Sequence, residues 1–281
     1  MNALRLGTIA VALVCIVAST ALADYMQDFE TLTYGAPVGV PLTGQDNYYI
    51  PSGTTSVDFL VYTYLLNSYN IVQNPNGGIV FAAGEGPGDG ATYARAQHDI
   101  ALTSQVWEFA YDFCCFYTNP GGAPANNLGS FSAQPSPNDF IALFEWEPGF
   151  EGTLFRHSYI MYDAAGAQFL TPYPTGGADW ENLALNNWYR GTMKIDFTLN
   201  KCVEVSIANI QVGGAPVTYM PTDWYLEGGM AGSTIDMTDF RLFAGGGAPG
   251  NVVAFDNVSI RELGATPVVP TTWGSIKANF Q

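Results

Sequence analysis

Between Val106 and Tyr117 the chain alternates without a break: Trp107, Phe109, Tyr111, Phe113 and Cys115 fall on one parity, and Glu108, Asp112 and Cys114 on the other. A repeat of two fits a strand with one buried face and excludes an amphipathic helix, whose apolar positions recur about every 3.6 residues. Such a strand needs a partner for its aromatic face, and the rest of the sequence supplies candidates. Strand-like runs recur at Tyr25 to Leu32, Ser56 to Leu65, Gly78 to Ala82, Thr92 to Leu102, Asp139 to Trp146, Phe155 to Tyr162, Trp188 to Leu199, Cys202 to Ile210, Met237 to Phe243 and Val252 to Arg261. Gly, Pro and Asn clusters separate them, and the Glu/Lys pairs four apart that mark exposed helices are absent. The expected class is all-β. A single open sheet of about eleven strands would leave apolar faces uncovered, so two antiparallel sheets packed as a β-sandwich are expected. Met193, Ile195, Phe197 and Leu199, a turn at Asn200-Lys201, and then Val203, Val205 and Ile207 read as a hairpin. The Gly/Pro/Asn/Ser stretch from Asn119 to Asn138 reads as an exposed loop.

Residues 1 to 23 combine Arg5, an apolar run from Leu6 to about Ala18, and the small-x-small sequence Ala21-Leu22-Ala23, the pattern of a secretory signal cleaved after Ala23. Cys15 follows Val14 where a lipobox wants a small residue, which argues against a lipid anchor. No later stretch approaches the ~20 apolar residues of a membrane span. The expected organisation is one domain from 24 to 263, then a Pro-containing spacer and short tail from 264 to 281. Without Arg5, 8 of the 9 Lys+Arg stand against 25 Asp+Glu, a net charge of −17. Charge of this sign and size repels nucleic acid and anionic membranes and excludes both as partners.

Three cysteines follow the signal: Cys114, Cys115 and Cys202. Parity places Cys115 in the core. Cys202 falls with Glu204 and Ser206 on the polar side of its run, so Cys114 to Cys202 is the disulfide that alternation permits, and two exposed free thiols give the same pattern.

Asn187-Trp188-Tyr189-Arg190, Lys194-Ile195-Asp196-Phe197, Asp239-Phe240-Arg241-Leu242-Phe243-Ala244-Gly245-Gly246 and Ala254-Phe255-Asp256-Asn257-Val258-Ser259-Ile260 resemble the closing half of concanavalin A-like (lectin/glucanase, laminin-G-like) jelly-roll domains of secreted bacterial proteins. The resemblance covers about 190 to 262, with an echo at 27 to 62. It implies a jelly roll, often with calcium where first and last strands meet and carbohydrate on the concave face or rim loops. It carries no activity with it.

The chain ends also bracket a set of acids. In Val252 to Ile260 the apolar parity is Val252, Ala254, Val258 and Ile260, and Asp256 sits among them, where a carboxylate is unfavourable unless paired or metal-bound. Asp28 and Glu30 share one face of the first strand, two residues and so about 7 Å apart, close enough for one of them to reach the same ion as Asp256 if first and last strands pair. Calcium fits an all-oxygen set best; hydrogen bonds from backbone amides would equally satisfy Asp256.

Glu145, Glu147 and Glu151 invite comparison with jelly-roll glycosidases, whose two essential carboxylates project from one strand and, in retaining enzymes, stand ~5–5.5 Å apart. Those families typically show Glu-x-Asp-x-x-Glu or a variant one residue longer. Here Glu replaces the central Asp and Pro148-Gly149 ends the strand before the third acid, which points away from catalysis. His98 and His157 stand alone and read as structural or surface imidazoles. Gly84 to Gly90 is a turn or, through Glu85 and Asp89, a second calcium loop. Trp146, Tyr159, Tyr162, Trp180, Trp188 and Trp224 are candidates for sugar stacking, set against the core role most aromatics take in a sandwich. In the tail, Trp273, Ile276 and Phe280 share one face of a short helical turn; it resembles the Trp-Gly-x-Ile-Lys-Ala ends of some exported bacterial proteins and reads as a sorting or docking tag, or as an idle or self-packed end. These features lead to an exported, non-catalytic module that binds carbohydrate or an extracellular surface, stabilised by calcium. The alternatives are a structural or adhesive envelope protein and a jelly-roll glycoside hydrolase.

Overall fold

The computed structural model describes residues 24–263 except 90, 101, 103–105, 118–127, 135–141, 149–153, 172–179, 181, 232–236 and 246–249; within strands, the side chains of 117, 142–148, 170 and 171 are also left undescribed. Two sheets carry the described chain, and neither closes on itself. The larger has nine strands: β1 (Tyr25–Gln27), β2 (Val40–Pro41), β4 (Leu60–Thr63), β5 (Val80–Glu85), β7 (Val106–Tyr117), β13 (Trp188–Asp196), β14 (Lys201–Asn209), β15 (Val217–Tyr219) and β17 (Asn251–Glu262). Its order is β15-β14-β13-β7-β17-β5-β4-β2, with β1 also on β17. The smaller has eight: β3 (Ser56–Val57), β6 (Tyr93–Asp99), β8 (Gly129–Gln134), β9 (Ala142–Pro148), β10 (Leu154–Tyr162), β11 (Gln168–Thr171), β12 (Leu183–Ala184) and β16 (Asp239–Ala244), in the order β11-β10-β9-β8-β16-β6-β3 with β12 on β10. Apart from the parallel β3–β6 pair, the ladders are antiparallel. The all-β antiparallel sandwich expected from alternation is the fold observed.

The aromatic parity of β7 lies between the sheets. Tyr111 stacks on Phe131 of β8 at 4.5 Å and Phe131 on Phe240 of β16 at 5.7 Å, so side chains of both sheets interlock in one apolar core. A second, smaller apolar cluster lies on the outer face of the nine-stranded sheet, where Tyr62, Phe81, Cys114, Trp188, Val252 and Ala254 pack with Ile71, Tyr64 and Val72 from the segment that joins β4 to β5. First and last strands do pair: Tyr25 faces Ile260 and Gln27 faces Val258.

Three sequence expectations fail for local reasons. The stretch read as an exposed loop contains β8, a buried strand central to the smaller sheet; Phe131 and Ala133 point inward while Ser130, Ser132 and Gln134 alternate with them. Its lack of β-branched residues hid it, and tertiary packing overrides that propensity. The Cys114–Cys202 disulfide is not formed: both are buried free thiols, as is Cys115. Between β13 and β14 the register slips so that Lys194 faces Glu204 but Ile195 faces Cys202, a bulge that turns Cys202 into the central core while Cys114 sits in the outer cluster. A second irregularity, between Asp256 and Ser259 with Asn257 at φ 48, moves Asp256 off the core side. Val252, Ala254 and Asp256 face outward, and only beyond Asn257 do Val258 and Ile260 enter the core.

Candidate functional site

The bulge sets Asp256 directly opposite Asp112 of β7, two fully buried carboxylates on neighbouring strands. Like charges in that position repel unless donors surround them. Here all four oxygens are occupied. Asp112 Oδ1 accepts Arg190 Nε at 2.7 Å; its Oδ2 accepts Asn74 Nδ2 at 2.9 Å and Asn257 Nδ2 at 2.8 Å. Asp256 Oδ2 accepts the Tyr64 hydroxyl at 2.8 Å and Asn74 Nδ2 at 3.1 Å, and its Oδ1 accepts the Asn257 amide at 2.8 Å. Burial first, and with it the facing Asp112 charge, pushes the Asp256 carboxyl up to about 7. Gly77 has to be glycine because a Cβ there would collide with Asp256 Oδ2.

The acids expected to share an ion with Asp256 have other partners. The first strand stops at Gln27 and Phe29 takes φ 62, so Asp28 and Glu30 do not line one strand face as expected. Asp28 is exposed and its Oδ1 accepts the Glu30 amide at 3.1 Å, while Glu30 Oε1 accepts Ile79 N at 2.7 Å and Val80 N at 2.9 Å. Among the described residues no group of three His, Cys, Asp or Glu side chains is placed to hold a metal. With Asp256 satisfied by protein donors, the set Asp28, Glu30 and Asp256 does not fit calcium in this arrangement. Glu85 Oε1 accepts Gly250 N at 3.0 Å and Asp89 closes a turn on Ala91 and Thr92, so these two acids serve separate backbone amides.

The stacking candidates are core. Tyr159, Trp180 and Trp188 are fully buried, Tyr162 and Trp224 nearly so, and no sugar ring can reach them. His157 lies between Trp180, stacked at 5.7 Å, and Phe113 at 5.6 Å, and burial pushes it down to about 3. His98 stacks on Phe240 at 5.4 Å; both histidines are structural, as expected. Glu145 and Glu147 lie in β9, opposite Ser158 and Arg156 of β10, and the strand ends at Pro148. The side chains of Glu145, Trp146 and Glu147 and all of Glu151 lie outside the described residues.

A different cluster, which sequence reading missed, occupies the outer face of the eight-stranded sheet. On β6 the small core residues Ala94 and Ala96 alternate with Arg95, Gln97 and Asp99; on β16 Phe240 and Leu242 alternate with Asp239 and Arg241; on β8 Ser130, Ser132 and Gln134 take the same side. Register aligns Gln97, Arg241 and Ser132 in one row and Asp99, Asp239 and Gln134 in the next. Arg241 donates Nε and Nη2 to Gln97 Oε1 at 3.1 and 3.0 Å, Gln134 Nε2 donates to Ser132 Oγ at 2.6 Å, Thr238 Oγ1 donates to Asp239 Oδ2 at 2.5 Å, and Tyr49 OH donates to Asp99 Oδ1 at 2.7 Å. Arg95, whose guanidinium lies 5.0 Å over the Tyr93 ring, is close enough to act on Arg241; burial and then this neighbour bring the Arg241 guanidinium down to about 10. Burial, and next among the raising causes Asp99, holds the Asp239 carboxyl above the usual range. Gln97, Gln134 and Asp239 are buried, yet among the described residues Gln97 Nε2, Gln134 Oε1 and Asp239 Oδ1 have no hydrogen-bond partner. A signal was available in the three alternating runs, but nothing local says that β6, β16 and β8 are neighbours.

No protein-family profile matches this chain, and no curated protein sequence matches it. Among solved structures it is similar to the CBM2 module of the evolved Dit of Lactobacillus casei BL23 phage J-1 (13% identity, 86% of this chain and 96% of that one, TM-score 0.49). It is also similar to an endo-β-1,4-glucuronan lyase from the fungus Trichoderma reesei (15% identity, 83% and 96%, TM-score 0.43) and to the alginate lyase Aly36B (13% identity, 86% and 98%, TM-score 0.41). Likenesses at this level leave function to be read from the chain's own residues.

Proposed function

We propose that the protein is an exported, non-catalytic jelly-roll module of the concanavalin A-like kind that binds carbohydrate through the outer face of the eight-stranded sheet. The observation that supports this reading is the trio of buried polar atoms without partners among the described residues, Gln97 Nε2, Gln134 Oε1 and Asp239 Oδ1, on adjoining strands; they are as closed to solvent as the aromatic candidates, so a sugar pairs with them only where the side chains over them move aside. Each such atom costs about 1–3 kcal/mol while unpaired. Neighbouring strands are ~4.8 Å apart and successive same-side residues ~7 Å, so from Gln97 to Gln134, two strands across and one row along, the trio spans about 12 Å, roughly two linked sugar rings. One donor and two acceptors suit hydroxyl groups, which both give and take hydrogen bonds. Ordered water is the competing occupant.

Calorimetry against a panel of soluble polysaccharides tests this. Binding to at least one glycan, weakened at least tenfold by Gln97→Glu, supports the reading: that change keeps the acceptor for Arg241 and converts the free donor into an acceptor. Absence of binding across the panel, with no release of reducing ends, overturns it in favour of a structural or adhesive envelope protein. Release of reducing ends would instead point to a glycoside hydrolase.

A further inference from the structure

Where β4 turns toward β5, the nine-stranded sheet carries an apolar groove of about 550 Å³, lined by Tyr34, Tyr64, Leu65, Leu66, Gln73 and Ile79. Leu65 is 95% exposed, Ile79 60%, Leu66 54% and Tyr34 46%, an unusual concentration of large apolar side chains in water for so acidic a chain. We propose that the chain's own C-terminal segment, Thr272 to Gln281, docks in this groove, with Trp273, Ile276 and Phe280 as its apolar contacts.

The last described residue, Leu263, is fixed where its amide donates to Val106 O at 2.9 Å. Ala82 faces Phe255, and Thr63 faces Val80 with Tyr64 N bonded to Ile79 O, so the groove lies level with about residue 258 of β17 and two strands away. Five residues along a strand and two strands across amount to about 20 Å. Eight residues, 264 to 271 with Pro267 and Pro270 among them, could reach about 25 Å if extended, enough to bring Trp273 to the groove.

Pattern and charge agree with reach. Trp273, Ile276 and Phe280 are spaced three and four apart, the spacing that puts apolar side chains on one face of two helical turns. The segment has no acid and one base, Lys277, whereas Glu30 stands at the groove through its bonds to Ile79 and Val80. A short tether supplies an effective concentration of the order of a millimolar, so a segment whose affinity in trans is only about 100 μM would be docked about nine-tenths of the time.

Hydrogen exchange on the whole exported chain tests the proposal. Amides of 272 to 281 are expected to exchange at least tenfold more slowly than in the free peptide Thr272 to Gln281, and the Leu65→Glu/Leu66→Glu double variant is expected to abolish that protection. Both leucines are exposed, so the variant should fold, and unchanged exchange of the β7 amides checks it. Exchange at the free-peptide rate overturns the proposal. So does protection that survives the double variant, which would place the tail elsewhere, and so does protection that grows with protein concentration, which would place it on a second copy.

Discussion

Both sheets turn a buried polar cluster outward, and the two clusters are built to opposite rules. On the nine-stranded sheet Asp112 and Asp256 face each other with every oxygen taken, by Arg190, Asn74, Asn257 and Tyr64. On the eight-stranded sheet Gln97, Gln134 and Asp239 are as deeply buried, yet one polar atom of each lacks a partner among the described residues. Burial alone therefore does not mark function. A network that satisfies itself ties strands together, here β7, β13 and β17 to the Asn74 loop. One left incomplete has hydrogen bonds still to make with something else.

The largest expected effect breaks the satisfied side. Among the described residues Arg190 is the cation paired with Asp112, and Arg190→Met leaves two opposed buried carboxylates without it. A stability loss of about 3 kcal/mol or more is expected by urea denaturation. A loss under about 1 kcal/mol would mean that the network does not hold the sheet.

Next in size is the response to pH. Asp256, raised to about 7 from 3.8, gives stability that is fully present below about pH 4 and is lost as pH rises through 7. His157, lowered to about 3 from 6.5, works the other way: its contribution is complete above pH 6.5 and is lost as pH falls through 3. Between about pH 4 and 6.5 the two slopes, each at most about 1.4 kcal/mol per pH unit, oppose one another. His157→Phe, between two aromatic neighbours, should therefore make stability fall more steeply with rising pH across that window than in the parent. Asp256→Asn should make it rise. Parallel curves for parent and both variants would refute the assignment.

On the incomplete side, Gln134→Leu removes an unpaired acceptor and one bond to Ser132, so stability should stay within about 1 kcal/mol of the parent while glycan affinity drops. The reverse, a large stability loss with unchanged binding, would make the two faces alike.

How much of this could be read in the sequence depends on what lies between the residues concerned. Strand β7 needs only its own parity, and the alternation over Val106 to Tyr117 gives its bounds and its buried face. Cys202 and Asp256 were misplaced by the same cause: each lies beside a bulge, at 203 and 257, where one extra residue reverses every side chain beyond it. Asn257 with its positive φ is the one local hint, since asparagine tolerates that conformation. The eight-stranded face was out of reach because Gln97, Gln134 and Asp239 come from three strands that meet only through long-range pairing, and one of those strands, β8, has the composition of a loop.

Calcium gives the smallest expected effect and the finest probe of the satisfied face. Asp28 and Glu30 each hold amides on one carboxylate oxygen, but an ion that also takes Asp256 would displace Tyr64, Asn74 or Asn257 from it. Those are hydrogen bonds to charged acceptors, each worth about 1.5–3 kcal/mol, and the displaced donors would be left without partners. A site with a Kd of about 10 μM would add about 2.7 kcal/mol of stability in millimolar calcium and raise Tm by roughly 5–10 °C in a domain of this size. The expected shift between calcium and chelator is instead under about 1 °C. A rise of several degrees would mean that the hydrogen bonds around Asp256 open to admit the ion, and the satisfied face would then have a ligand of its own.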